Sequence, residues 1–247
     1  MALDDRSPEY WRRLADEGDT VAMRQLAYLL RETDPASSQI WLRRAVQAGD
    51  VAAVFSLGVS LSESKPAEAA QWYRRAAEAG DRSAMFNLGL LAKVVHRRER
   101  RRWLERAAGL GHPEAAHALG VSLLPWHPRR AQRWFRRGAD DGNQRSMVRV
   151  ASDLDIRRRT TLRRARRERL RLEMLWLLMG AAELGDADAM WRLGLYCGSH
   201  DDDEGASRWY QSAAERGHSA AQLVVNEGRS PRSAWRVARA TYREATR

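Results

Sequence analysis

The chain has 247 residues, of which 43 are basic and 32 acidic, for a net charge of +11. No stretch approaches the roughly 20 consecutive apolar residues of a membrane span. The acidic start "MALDDRSPEYW" lacks the apolar run of a signal peptide, and the single cysteine, Cys197, excludes an intrachain disulfide. These features exclude the membrane-embedded and disulfide-stapled secreted classes and predict a cytoplasmic location.

Seven glycines recur along the chain with separations of 31 residues four times, then 43 and 32: Gly18, Gly49, Gly80, Gly111, Gly142, Gly185 and Gly217. Eight residues before each glycine lies a large apolar residue, in chain order Tyr10, Trp41, Trp72, Trp103, Trp134, Leu177 and Trp209. Four residues after each glycine lies a small residue, and eight residues after it lies leucine or valine. Three slots in phase over seven copies predict a repeat array.

Each copy predicts two helices that meet at its glycine. In "WYRRAAEAG" the apolar residues recur at helical spacing while the charged ones face elsewhere. The glycine supplies a left-handed residue that ends this helix, and the Asp, Asn or His after it caps the next one. Small residues such as Ala84 let the two helices approach closely. The fold class predicted is all-α, an α-solenoid of antiparallel helix pairs with a 31-residue repeat.

Two pairs of phrases resemble a known repeat family. "AMFNLGLLA" with "WLERAAGLG", and "AMWRLGLYC" with "WYQSAAERG", are similar to the Sel-one-like repeat (SLR) family, a relative of the tetratricopeptide repeats. The resemblance spans about residues 8 to 227. It implies a tetratricopeptide-like superhelix and a non-enzymatic scaffold that binds proteins. The Gly-rich loop usual in that family is missing here, so each repeat is shorter.

The array is expected to form one elongated repeat domain over residues 1–247. "RSPEYWRRLADEG", with Ser7 and Pro8, predicts a helix at the N-terminal end. Residues 229–247, where Ser230 and Pro231 start an apolar stripe, predict a C-terminal capping helix.

The step from Gly142 to Gly185 is 12 residues longer than its 31-residue neighbours, and it predicts a basic helical insertion over residues 152–175. From Ile156 to Leu172 nine arginines stand against a single acidic residue. Arginine and leucine favour helix, so we expect a lengthened helix end that Thr160 or Thr161 caps. The candidate binding residues are Arg157, Arg158, Arg159, Arg163, Arg164, Arg166 and Arg167. The chain holds 41 arginines and two lysines, and a GC-rich genome explains that bias as well as function does.

The repeated tryptophans occupy one fixed slot per repeat, so we expect them in the core. On the second helix of each pair, a stripe lies opposite the small-residue contact and suits a concave peptide groove. The candidate groove residues are Phe55, Phe86, Asn87, His117, Arg149, Trp191 and Arg192. The alternative is that the rings of this stripe pack between neighbouring repeats.

The sequence contains no arrangement typical of catalysis, of a cofactor site or of a metal site. "HDDDEG" at residues 200–205 lacks the alternation of a calcium loop and reads as a solvated loop. The function predicted is a non-enzymatic adaptor for a protein or peptide partner, with an acidic one favoured by the insertion. The alternative is a nucleic-acid-associated protein that uses the Arg-rich insertion, although no aromatic residues are interleaved there for base stacking.

Overall fold

The computed structural model describes residues 7–91 and 94–228, and within those ranges every helix or strand assigned is an α-helix. The predicted all-α repeat fold is confirmed. The capping helix predicted over residues 229–247 lies outside the described residues. The chain forms two compact units, residues 1–115 and 116–247, and the division falls in the first turn of one helix.

Unit 1 contains α1 (Pro8–Asp16), α2 (Thr20–Leu30), α3 (Pro35–Gln47), α4 (Val51–Leu61), α5 (Pro66–Glu78), α6 (Arg82–Leu90) and α7 (Arg97–Gly109). Odd-numbered helices carry the tryptophan slot and even-numbered helices carry the small-residue slot. From α1 to α7 each helix packs against the next one along the chain. Short loops join them, so neighbouring helices run antiparallel.

Unit 2 begins within α8 (Pro113–Leu123) and continues with α9 (Pro128–Asp140), α10 (Gln144–Thr160), α11 (Arg164–Glu183), α12 (Ala187–Gly198), α13 (Asp203–Glu215) and α14 (Ser219–Asn226). From α9 onward each helix again packs against its chain neighbours. The larger buried cluster of this unit runs from Leu123 to Ala221 and includes side chains of every helix in the unit, and a smaller one contains Ala206, Tyr210 and Val224.

The junction at each repeat glycine has the predicted geometry. All seven repeat glycines have φ between +72° and +98°, a left-handed conformation that favours glycine. After Gly80, Asp81 donates its backbone N–H to the Ala76 carbonyl at 3.0 Å, and its carboxylate accepts from the Ala84 N–H at 2.9 Å. The same residue therefore ends one helix and caps the next.

Close helix approach is confirmed at the small-residue slot. All seven of its members have no exposed surface: Ala22, Ala53, Ala84, Ala115, Ser146, Ala189 and Ala221. Five residues further on, four of the repeats have a glycine, and at Gly58, Gly120 and Gly194 it receives the ring of the following odd-numbered helix. A Cβ atom added to Gly58 would lie 2.7 Å from the Tyr73 ring. Only a residue without a side chain permits this contact.

The prediction that the tryptophans form the core is right only in part. Trp41 is buried, but Trp72, Trp103, Trp134 and Trp209 are half-exposed. The side chain that the core buries is the next one, Leu42, Tyr73, Leu104, Phe135, Leu178 or Tyr210. Where the even-numbered helix has a glycine, as at Gly58, Gly89, Gly120 and Gly194, that glycine accepts the neighbouring residue. The tryptophan ring lies at its edge, often under an arginine one turn later, as Arg106 lies over Trp103 at 4.9 Å.

Candidate partner-binding surfaces

The groove residues of unit 1 lie on the even-numbered helices and are half-buried. The Phe55 ring on α4 lies 5.9 Å from the Tyr73 ring on α5. Phe86 on α6 stacks on His112, the cap residue of α8, at 4.4 Å. The Asn87 amide donates to the Tyr73 hydroxyl at 3.3 Å. Each of these side chains therefore has one face against a neighbouring helix or its cap and another in solvent.

The groove residues of unit 2 follow the same rule. The His117 ring lies 5.5 Å from the Phe135 ring, and its Nδ1 is 3.1 Å from the Ser146 hydroxyl. Trp191 on α12 stacks on the His218 ring at 5.1 Å and lies 4.9 Å from Tyr210. These rings pack against neighbouring helices and are also partly exposed. They therefore have features of both alternatives from the sequence, packing between repeats and lining a groove.

We call the seven candidate groove residues the groove set. Its two arginines differ in how many partners their side chains have. Arg149 is exposed, and its guanidinium lies 5.6 Å from the centre of the Phe135 ring. Arg192 is held by Asp188 at 2.7 Å and by the Ser152 hydroxyl at 3.0 Å. Arg149 is therefore the more available group for an incoming carboxylate.

The extra residues of the long repeat lengthen two helices. α10 has 17 residues and α11 has 20, whereas α4 and α5 have 11 and 13. At 1.5 Å per residue the added segments measure about 10 Å each. The hydroxyls of Thr160 and Thr161 both donate to the Arg157 carbonyl, so the two threonines close the end of α10. We name residues 155–171 the hairpin tip.

The arginines of the hairpin tip fall into two groups. In the first, each side chain has a partner: Arg158 and Arg159 bind Asp155, Arg157 donates to Gln132, Arg167 donates to the Thr161 carbonyl and Arg171 binds Glu168. In the second group, Arg163, Arg164, Arg166 and Arg169 are exposed and form no ion pair with any residue that the structure describes. Four free guanidinium groups therefore share one helix end.

The positive charge of the chain is concentrated around this hairpin. Residues 129–171 contain 16 arginines and five acidic residues, a net +11, which equals the net charge of the whole chain. Arg136, Arg149 and Arg157 also line a shallow cleft between α9 and α10, with Asp153 among them. The remainder of the sequence is neutral on balance.

A family profile described as Sel1 repeat matches residues 20–50, 55–81, 101–112, 113–143 and 187–218, which together make more than half of the chain. The chain belongs to the Sel1 repeat family. No curated protein matches the sequence. The matched ranges omit residues 144–186, so the helix pair α10–α11 is where this Sel1 repeat protein departs most from its family.

Solved structures support the same fold. A Sel1 repeat protein from Oxalobacter formigenes is 22% identical with a TM-score of 0.64, over 85% of this chain and 99% of that one. The antigen c5321 of uropathogenic Escherichia coli, which has an SLR fold, is 23% identical with a TM-score of 0.61, over 92% of this chain and 54% of that one. The pilF protein of Pseudomonas aeruginosa is 18% identical with a TM-score of 0.57, over 92% and 99%.

The acidic loop before α13 has a structural role within the Sel1 array. Asp202 caps α13 by accepting the Gly205 N–H at 2.8 Å. Burial and the neighbouring Asp202 raise the pKa of the Cys197 thiol to about 11. A thiol with such a pKa is a poor nucleophile near neutral pH. Among the described residues no three His, Cys, Asp or Glu side chains form a metal-binding group, and no helix is long and apolar enough to cross a membrane.

The sequence did not predict one further surface, an exposed apolar side of α11. Leu172, Trp176 and Met179 lie on the solvent face of α11 and are exposed. The continuous apolar run "MLWLLM" at residues 174–179 gives no helical period from which an outward face could be recognised. The useful signal was the position of Trp176, one residue before the tryptophan slot of this Sel1 repeat.

Proposed function

We propose that this Sel1 repeat protein is a non-enzymatic, cytoplasmic adaptor that binds a protein or peptide partner with an acidic surface. The observation that carries the proposal is the hairpin tip, where four exposed arginines have no carboxylate partner among the described residues. Arginine guanidinium groups bind carboxylates in a bidentate geometry, and their planar fork loses less entropy per hydrogen bond than a lysine ammonium does. The single cysteine is consistent with a reducing compartment.

The candidate groove residues of each unit are a further binding surface in this proposal. Phe86, Trp191 and their equivalents keep one face in solvent, and the exposed Arg149 adds a positive group. Half-exposed aromatic rings held by packing suit an extended or helical peptide. Their contacts with neighbouring helices give them the rigidity that a binding site needs.

Nucleic acid is the second candidate partner, and the observation that favours it is the net charge of +11 within residues 129–171. A phosphate backbone would bind such a surface with strong salt dependence. The hairpin tip has no aromatic residue among its arginines for base stacking, so we rank this partner below an acidic protein.

The experiment is a pull-down from lysate of the source organism followed by mass spectrometry, performed with and without nuclease. Three baits are compared. They are the wild type, a tip variant with Arg163, Arg164, Arg166 and Arg169 replaced by glutamine, and a matched control with Arg97, Arg98, Arg101 and Arg102 replaced by glutamine. The two variants lose the same charge.

The adaptor proposal expects a protein that survives nuclease, is retained by the control and is depleted from the tip variant. Loss of all bound protein after nuclease would show that nucleic acid, and not a protein, is the partner. Equal retention by all three baits would show that the hairpin tip is not the binding surface.

A further inference from the structure

Three pairs of odd-numbered helices, α3 with α5, α5 with α7 and α9 with α11, are linked along their solvent side by an ion pair at the same two positions. The arginine two residues after the tryptophan slot binds the glutamate four residues before the next such slot. The pairs are Arg43 with Glu68, Arg74 with Glu99 at 2.9 Å, and Arg136 with Glu173 at 3.5 Å. The Arg74 guanidinium lowers the pKa of Glu99 by hydrogen bonding to its carboxylate.

Among the described residues the ion pair is absent between α11 and α13. The arginine position of the pair is occupied in α11 by Met179, and the glutamate position of α13 is occupied by Gly205. In the other odd-numbered helices from α1 to α13 the counterparts of Met179 are Arg12, Arg43, Arg74, Glu105, Arg136 and Gln211. Met179 is therefore the only apolar residue at this position of the odd-numbered helices.

Trp176 and Leu172 are likewise more apolar than the residues at the equivalent positions of the other odd-numbered helices. The counterparts of Trp176 are Glu9, Ile40, Gln71, Arg102, Arg133 and Arg208, of which one is apolar. The counterparts of Leu172 in α3, α5, α7, α9 and α13 are Ala36, Ala67, Arg98, Arg129 and Glu204. α11 thus has three large apolar residues at positions that are mostly charged, polar or small elsewhere.

The three side chains form one continuous stripe in solvent, which we name the α11 face. They are spaced four and three residues apart, so they lie on one side of the helix. Leu172 is 57% exposed, Trp176 is 69% exposed and Met179 is 50% exposed. Met174, Leu177 and Ala181 are buried on the opposite side, so packing of the core does not require the α11 face. Contiguous exposed apolar side chains of this size indicate an interaction site.

The charge around the α11 face is positive at one end. Arg169 lies one turn before Leu172 on the same side, and Arg166 and Arg163 precede it; all three are exposed without an ion pair among the described residues. At the tip end the carboxylates are engaged, Glu168 by Arg171 at 2.6 Å and Glu173 by Arg136 at 3.5 Å, whereas Glu183 is exposed one turn after Met179 at the other end. The apolar stripe borders Arg169, and Arg166 and Arg163 curve away from it around the N-terminal end of α11. This arrangement calls for a ligand that has apolar groups and, beyond one end of them, acidic groups.

We propose that the α11 face binds an amphipathic acidic helix of a partner protein. The apolar side chains of that helix cover Trp176, Leu172 and Met179, and its carboxylates pair with Arg163, Arg166 and Arg169. Helix-in-groove recognition uses apolar anchors at the same three- and four-residue spacing, and tryptophan is a frequent anchor of binding energy. The proposal rests on the adaptor function and names the site and the shape of its partner.

Charge argues against two other occupants. A second copy with its α11 parallel to the first would bring the arginines of one hairpin tip against those of another, which opposes association. An antiparallel copy would offer only one carboxylate of α11, Glu183, to three free arginines. Residues 229–247 hold six arginines and one glutamate, so this segment is also repelled. Nucleic acid would satisfy the arginines, but it would leave the aliphatic Leu172 and Met179 without a partner.

The test uses fluorescence anisotropy with a labelled synthetic peptide of about 18 residues, or five helical turns. The peptide is rich in glutamate and carries leucine at positions i, i+3, i+4 and i+7. A control peptide has the same composition with the leucines scrambled. The face variant is Leu172→Ala, Trp176→Gln and Met179→Gln, which copies residues found at the same positions in α3, α5 and α13. Because the array already accepts these residues, the variant is expected to fold.

We expect the wild type to bind the patterned peptide and the face variant to bind at least about tenfold more weakly, with an unchanged melting temperature. The scrambled peptide should lose a similar factor. Replacing Arg163, Arg166 and Arg169 by glutamine should weaken binding and flatten its salt dependence, whereas the face variant should keep the wild-type salt slope.

Equal binding by the face variant, equal binding of the scrambled peptide, or no binding of the patterned peptide would each overturn the proposal. The proposal would also be overturned if the wild type bound a single-stranded oligonucleotide of equal charge more tightly than the peptide, and if the face variant lost that binding. Sedimentation that shows a dimer dissociated by the face variant would assign the face to self-association instead. If the peptide fails while the pull-down still yields a nuclease-resistant partner, the adaptor function stands and only this site is wrong.

Discussion

Gly194 on α12 lies against the ring of Tyr210 on α13, so closely that a Cβ atom on Gly194 would come within 2.5 Å of the ring. The same contact joins Gly58 to Tyr73 in unit 1, and Gly120 contacts the Phe135 ring in the same way. The Tyr210 ring is almost fully buried by this arrangement. The glycine therefore sets the distance between the two helices.

Gly194→Ala should lower the free energy of unfolding by about 1–3 kcal/mol, because the added methyl group forces the rigid ring or the helix to move. The matched control is Gly180→Ala in α11, where a Cβ atom would have its nearest contact at 3.8 Å from the Met147 sulfur. The control should gain up to about 1 kcal/mol from better helix propensity. Urea unfolding measures both, and equal effects of the two substitutions would contradict the role assigned to Gly194.

Stability should fall on acidification below pH 6.5 because two histidine caps, His112 and His218, accept a backbone N–H of the helix that they cap. Burial lowers the pKa of His218 from the ordinary value of 6.5, and Asp188 at 3.9 Å offsets only part of that shift. Burial lowers the pKa of His112 in the same direction. The unfolded chain therefore takes up protons first as pH falls, so stability is complete above about pH 6.5 and is lost below it. Protonation also removes the acceptor that His218 Nδ1 offers to the Ala221 N–H.

The control for this pH dependence is His218→Asp, which places at the N-cap of α14 the residue type that caps α12 at Asp186. A carboxylate stays ionised down to about pH 4, so it continues to accept the backbone N–H. Urea unfolding of the wild type and the variant should differ more at about pH 5.5 than at about pH 7.5. A difference that does not change with pH would refute the assignment.

The groove set should divide into structural rings and a free arginine. Trp191→Ala should cost about 1–3 kcal/mol, because the ring packs against Tyr210 and His218. Arg149→Gln should cost less than about 1 kcal/mol, since its contact with the Phe135 ring is exposed. Thermal unfolding of the two variants gives the comparison. An unchanged melting temperature for Trp191→Ala would show a ring that serves binding alone.

The repeat phase was predictable because it depends on local chemistry. Glycine at positive φ and a short polar cap are read directly from phrases such as "EAGD", and both are confirmed at Gly80 and Asp81. The choice between Trp72 and Tyr73 as the buried residue was not predictable, since the two lie about 100° apart on one helix. That choice depends on Gly58 in the preceding helix, which is a tertiary contact.

The candidate surfaces were only partly predictable. Charge counting located the hairpin tip, but it could not separate Arg167, which binds the Thr161 carbonyl, from the free Arg166. The α11 face escaped because the apolar run around Trp176 has no helical period. Both distinctions depend on which side of a helix its neighbours cover.

The salt dependence of partner binding tests the adaptor account most directly. The measurement is the dissociation constant of the partner recovered by pull-down, over a range of salt concentrations, for the wild type and for the variant with Arg163, Arg164, Arg166 and Arg169 replaced by glutamine. We predict weaker binding by the variant and a flatter salt slope, because four charges that face the partner are removed. Unchanged affinity and an unchanged slope would contradict the account, since the hairpin tip would then be a solvated helix end.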